Sequence, residues 1–373
     1  MDLVRLRAIA RKEWIQLRRD TRSMILAFVL PLFLLVFFGY AITWDVNDIP
    51  VAVLDQDRTP RSRALVEALE SSGYFTVTEY LESAVAIDER LVRDDALGVF
   101  WIPPGFARDL AAPARTARVQ LLLDGSDANT ATIALNYADA IVARYGARAV
   151  LGGRPLQAPV SLEARTWYNP NLESRHMIVP GLIAIIMSII AAMLTALTIA
   201  REWERGTMEQ LAATPVTRVE VVLGKLLPYL AIGLFDVAVT VTAGMLIFGT
   251  PLDGSVPLLA VLTMLFLIGA LGLGIFISAA VKSQVLAMQI AMVATYLPAV
   301  LLSGFMFDIA SMPPVLRGIT FLVPARYFIV VTRGIFLKGV GTEVLWAQAA
   351  FMLLYAVVGL TLATRAFRKE LEA

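Results

Sequence analysis

Six stretches of this sequence stay apolar over the roughly 20 residues that a helix needs to cross the ~30 Å hydrocarbon core of a bilayer. They are residues 24–44, 177–200, 226–249, 257–281, 285–307 and 344–364. Backbone inside lipid must satisfy its own hydrogen bonds, so runs of this length dictate helices. The expected fold class is an α-helical polytopic membrane protein with six transmembrane helices and an inserted α/β extracytoplasmic domain. Composition agrees, with 58% of the 373 residues hydrophobic and a mean hydropathy of +0.71, beyond the range of a soluble domain. The first run is too long for a signal-peptide core and lacks a clear small-x-small cleavage site, so it reads as an uncleaved anchor.

A formal net charge of +1 gives no bias toward nucleic acid. There is no cysteine and one histidine, which excludes disulfides, thiolate metal sites and histidine clusters. His176 stands at the edge of the second run and reads as an interfacial polar residue.

Leu3, Leu6, Ala10, Trp14 and Leu17 recur at helical steps among Arg5, Arg7, Arg11, Lys12, Arg18 and Arg19. Residues 1–22 are therefore expected as an interfacial amphipathic helix facing the bilayer, with Trp14 at headgroup depth. With Arg22, seven basic residues precede the first span, residues 23–44, which places the N-terminus in the cytoplasm. Basic residues in alternate loops (Arg201, Arg205, Arg218 and Lys225; Lys282; Arg365, Arg368 and Lys369) put the C-terminus there too.

Residues 45–171 change character. Strand patterns at 49–54, 74–80, 96–102 and 119–123 alternate with helical ones; Thr59-Pro60 opens a helix and 129–150 forms a long one. An α/β domain outside the cytoplasm follows from this pattern. Asp55, Asp57, Asp124 and Asp127 could be read as a divalent-metal site, but at strand ends they read better as turn residues. Residues 172–373 carry spans two to six. Within them, 308–342 mixes prolines and basic residues with aromatics and is expected as an external re-entrant segment.

Between the second and third spans lies a charged segment, REWERGTMEQLAATPVTRVEVVLGKLLP. Thr207 with Gln210 and Thr217 with Glu220 each fit a capping box, and Val216 with Val221 fits a hydrophobic staple. Pro215 stops the first of the two helices. The spacing predicts a short helix over about 208–213 and a second one climbing into the bilayer. By itself this is also the pattern of an ordinary capped loop. Within the third span, Asp236 is an acidic residue deep in apolar sequence, a pathway residue or a hydrogen-bonded packing residue.

Glu204, Gly206, Thr207, Glu209, Leu211, Thr214-Pro215, Glu220, Gly224-Lys225 and Pro228 together resemble the pattern of ABC-2 type transporter permeases. Trp167-Tyr-Asn-Pro and Val179-Pro-Gly-Leu182 resemble members with a large external domain, and Ser303-Gly304-Phe305, Tyr327 and Arg333-Gly334 resemble the segment before the last span. The resemblance implies that segment 201–220 is a coupling helix seated in a cytosolic ABC ATPase subunit. Docking then falls to Glu204, Gly206, Thr207, Glu209, Leu211, Pro215 and Glu220, with the two glutamates 204 and 209 in contact, Gly206 making the turn and Thr207 the cap. It also implies a second permease, the same or homologous, in a bacterial inner membrane, and outward transport of an amphipathic or drug-like molecule. Whether the external domain meets a periplasmic adaptor stays open. Gly224-Lys225 lacks the rest of a phosphate-binding loop, so this chain is expected to hold no cofactor and to be no enzyme; ATP and Mg belong to the partner. The alternative is a proton-coupled antiporter using Asp236.

Overall fold

The computed structural model describes residues 2–42, 48–92, 96–112, 115–150, 167–170 and 173–367. It divides into two compact units, Met1–Thr43 with Arg165–Ala373, and Trp44–Ala164.

The first unit opens with α1 (Leu3–Arg19), capped by the Asp2 carboxylate, which accepts from the Val4 N–H. Arg18 and Arg19 lie in its last turn, where the helix dipole favours cations. After Asp20 come α2 (Thr21–Met24), a π turn (Ile25–Val29) and α3 (Leu30–Ala41). Pro31 has no N–H, so the Ala27 carbonyl loses its usual donor, and the backbone widens just before it. The apolar part, Ile25–Ala41, is a shorter helix than the other candidate spans. The last residues of the expected first span, Thr43 and Trp44, fall outside the described residues.

The second unit is a small α/β fold. In order it contains β1 (Ile49–Asp55), α4 (Pro60–Glu70), β2 (Phe75–Tyr80), α5 (Val85–Val92), β3 (Gly98–Ile102), α6 (Phe106–Ala111), β4 (Gln120–Leu123) and α7 (Ala128–Val150). The sheet order is β2-β1-β3-β4, parallel except for the β3–β4 pair. The central strand β1 is buried on both faces, as parallel strands are. Val51 and Val53 pack with Leu65 and Leu69 of α4 and Ala134 of α7 on one side. Ala52 and Leu54 pack with Ile87 of α5 on the other. Thr59 caps α4 in a full capping box with Ser62. The aspartates act as turn residues. Asp55 accepts from the N–H groups of Asp57 and Arg58, and Asp124 from that of Ser126. Asp57 reaches across to cap α6, accepting from Gly105 at 2.8 Å and Ala107 at 3.1 Å. Burial raises the Asp57 pKa, but bonds from the Thr59 hydroxyl and these backbone donors outweigh it and hold it below the usual carboxylate value. Among the described residues no group of side chains could hold a metal.

The first unit resumes with α8 (Ser174–Glu204), α9 (Met208–Ala212), α10 (Arg218–Phe248), α11 (Val256–Val281), α12 (Gln284–Leu301), α13 (Pro314–Thr320), α14 (Pro324–Lys338) and α15 (Thr342–Ala366). Among the described residues, five helices are long and apolar enough to cross a membrane, or six if α13 and α14, bent by 74°, form one broken span. α8 is apolar around its whole circumference and is the buried centre of the unit. It packs against α11, α12, α14, α10 and α3. The Thr195 hydroxyl of α8 donates to the Leu271 carbonyl of α11 at 2.9 Å. Close approach there depends on Gly274, where a Cβ would lie 2.1 Å from the Thr195 hydroxyl.

Several helix ends differ from the hydropathy limits. α8 and α10 each run well past their apolar stretches, because charged residues continue a helix in water or in a polar interior. α12 stops at Leu301 rather than 307. Gly304 takes a left-handed φ of 83°, and the Ser303 hydroxyl donates to the Ala299 carbonyl and accepts from Phe305, so the chain turns away.

Candidate functional site

The charged segment between α8 and α10 starts where α8 unwinds. Gly206 adopts φ +67°. Its N–H bonds the Trp203 carbonyl, and the Thr207 N–H bonds the Glu202 carbonyl at 3.1 Å. This is a Schellman stop, which needs a left-handed residue and so favours glycine. The expected cap at Thr207 does not form. Thr207 is helical (φ −82°, ψ −5°), makes no side-chain cap bond and turns its hydroxyl back to the Glu202 carbonyl. A residue committed to closing one helix has no N–H and no extended backbone left for opening the next. α9 then runs over Met208–Ala212, with Met208 buried and Glu209 exposed. Among the described residues Glu209 has no side-chain partner. Leu211 is half-buried and Pro215 is exposed.

The second capping box forms in full. Thr217 is extended (φ −85°, ψ 159°). The Glu220 N–H donates to its hydroxyl at 3.3 Å, and the Glu220 carboxylate accepts from the Thr217 N–H at 2.8 Å. Glu220 also accepts from the Asp2 N–H at 2.6 Å, while Arg5 donates to the Pro215 carbonyl. The start of α1 is thereby tied to the start of α10. Glu204 is engaged elsewhere, accepting from both the backbone and the side chain of Gln284, and so capping α12. Lys282 stacks over Trp203 at 4.5 Å, folding the α11–α12 turn onto the end of α8.

Beneath this segment lies a buried ion network that the sequence reading missed. Lys225 of α10 is 1% exposed. Its ammonium lies 2.7 Å from Glu13 of α1 and 2.9 Å from Glu202 of α8. Lys12 pairs with Glu202 from the outer side. Arg201 bonds Asp20 at 2.6 Å, which joins the other end of α1 to α8. Burial raises the Asp20 pKa, but the Ser23 hydroxyl and Arg201 outweigh it and lower it. α1 comes close enough for this because Gly224 has no Cβ; one there would lie 2.8 Å from Ile9.

Ile9, Glu13 and Leu17 of α1 are buried, and α1 packs on α10; of the apolar stripe read from the sequence, Leu17 is among them and Leu3 is exposed. Trp14 sits on the flank, 41% exposed. The available signal was Glu13, an acid at the i+4 step between two apolar residues of a basic helix.

Asp236 is buried in α10, and one of its carboxyl oxygens has no hydrogen-bond partner. Separately, an apolar cavity of about 350 Å³ lies between α3, α8 and α12, lined by residues such as Phe38, Ile186, Ile189, Met193, Met292 and Tyr296. Asp236 does not line it.

Residues 22–365 match the family model for ABC-2 family transporter proteins. The chain is 37% identical to the probable multidrug ABC transporter permease YbhS of Escherichia coli K12 over 362 residues, covering 96% of this chain and 95% of that one. It is 32% identical to the probable multidrug ABC transporter permease YbhR of the same organism, over 92% of each chain. To the inner membrane transport permease YhhJ it is 30% identical over 88% of this chain and 87% of that one. The comparisons give no support to an antiporter working through Asp236.

Proposed function

The chain belongs to the ABC-2 transporter family as a permease subunit, and on that premise we propose that it exports amphipathic small molecules across the bacterial inner membrane with ATP hydrolysed by a separate subunit. Multidrug permeases among its relatives support the cargo class, as does the apolar cavity beside α8. In this reading the second unit is an inserted domain outside the cytoplasm, α3 is the first of six spans, and both termini are cytoplasmic. A second permease, identical or homologous, completes the path, and the ATPase partners hold ATP and Mg.

The observation that carries the reading is the anchorage of the α8–α10 segment. α9 presents the unpaired Glu209 to solvent, while its two flanks are fixed to α8, α10 and α1 through Lys225, Glu202 and Glu13. Closure of an ATPase pair around α9 displaces this base as one body. The displacement passes into α8 and α10, which rock between two packings. Glu209, Leu211 and Pro215 are the contacts offered to the ATPase. Glu204, Gly206, Thr207 and Glu220 act through the shape of the segment.

The test is affinity purification of the full-length chain in mild detergent, reading co-purifying ATPase and its activity. Glu209→Lys should remove the ATPase while the permease stays monodisperse. Retention of a fully coupled ATPase by that variant would refute docking at α9.

A further inference from the structure

Where α1 ends and α8 leaves its apolar run, Lys12, Gln16, Arg19, Asp20, Arg201 and Arg205 line an open polar cleft of about 630 Å³. Two of its four cations are already neutralised. Lys12 is held by Glu13 and Glu202, and Arg201 by Asp20. Arg19 and Arg205 are exposed, and their side chains make no ion pair or hydrogen bond with any described residue. Two unpaired guanidinium groups thus face a cleft whose other charges are balanced.

We propose that this cleft binds the phosphate headgroup of an anionic phospholipid from the leaflet in which α1 lies. Guanidinium forks match phosphate oxygens in charge and geometry, and basic pockets between helices at a membrane face take such headgroups. The position of the cleft selects lipid over a free anion. On α8 the sequence turns from Ile199-Ala200 to Arg201 at the cleft, and the apolar run toward α3 begins a few residues past Asp20. Both neighbouring chains cross from apolar to charged at this depth, which is where lipid phosphates lie. The half-exposed Ile15 also lines the cleft, so glycerol and the first methylenes meet an apolar side chain. A free phosphate would meet the same arginines and gain nothing from that side chain. The inference does not depend on α9 docking to an ATPase.

Native mass spectrometry of the delipidated full-length chain, titrated with dioleoyl-phosphatidylglycerol or dioleoyl-phosphatidylcholine, tests it. The natural chain should prefer phosphatidylglycerol. Arg19→Gln with Arg205→Gln should lower that preference by about fivefold for each arginine removed, roughly 25-fold for both. Arg19→Lys with Arg205→Lys keeps the charge and loses the fork, and its preference should fall between those of the natural chain and the glutamine pair. Arg7→Gln with Arg11→Gln removes the same charge from exposed positions outside the cleft and should leave the preference near that of the natural chain. Equal loss in both glutamine pairs would reduce the effect to diffuse surface charge and overturn the site. So would indifference to headgroup. Displacement of phosphatidylglycerol by millimolar inorganic phosphate would assign the cleft to a soluble anion instead. Loss of ATPase co-purification with lipid preference intact would make it a protein-binding surface, again overturning the proposal.

Discussion

Two turns bound α9, and in sequence they look alike: Thr207 and Thr217 are each followed at the third position by a Gln or Glu. In the folded chain they are opposites. The turn at Gly206 is made of backbone, a left-handed glycine with two carbonyls of α8 closed by the next two N–H groups. The turn at Thr217 is made of side chains, a reciprocal box that Asp2 also joins. The capping pattern is an option open to a threonine in extended conformation. Thr217 follows Pro215 and Val216 and is free to extend; Thr207 follows Gly206 and is already closing α8. Both turns stand on the same buried cation, Lys225, so their difference is local and their support is shared.

The largest effect should come from removing that shared support. Lys225→Ala leaves the buried Glu13 and Glu202 with only the half-exposed Lys12 as a shared cation, at a cost approaching the roughly 3–5 kcal/mol of a broken buried pair. Thermal unfolding of the detergent-solubilised chain should show the loss, and adding Glu13→Gln and Glu202→Gln should recover much of it. A Lys225→Ala chain as stable as the natural one would show that the turns do not share a base.

The backbone turn is next. Nothing lies within 4 Å of a Cβ at Gly206, so Gly206→Ala tests conformation alone and should cost about 1–2 kcal/mol. Hydrogen exchange should rise in residues 203–207 and not at the start of α10. Thr217→Ala should cost about 1 kcal/mol and loosen the first turn of α10, whereas Thr207→Ala should stay within about 0.5 kcal/mol. Equal costs for the two threonines would break the contrast.

The smallest effect extends the comparison to the second unit, where Asp57 is a side-chain cap acting at long range. Its folded pKa is lowered, so the stabilisation is complete above the unfolded value near 4 and is lost as pH falls below it. Protection of residues 105–111, measured against the intrinsic exchange rate at each pH, should fall on acidification in the natural chain. In Asp57→Asn that acid-dependent step should be missing.

Much of the architecture was legible because it rests on short-range rules. Apolar length gives α8, α10, α11 and α15. Alternation with Pro and Gly stops gives β1 to β4, and Thr59-Pro60 gives α4. Pro215 and Gly206 mark their turns from identity alone. The charged segment between α8 and α10 was visible in its motif, but the different roles of its residues were not. Glu204 and Glu209 look equivalent in sequence, yet one caps α12 and the other is exposed with no side-chain partner among the described residues.

What the sequence determined by itself is therefore most of the long helices and the strands, and the place where the chain breaks between α8 and α10. Those depend on backbone sterics and burial over a few residues. Tertiary structure alone decided which face of α1 is covered, which threonine caps, and that Glu13, Glu202 and Lys225 meet, although they stand far apart in the chain. A charge is tolerated in an apolar interior only when its partners converge on it, and convergence belongs to three packed helices, not to any one of them.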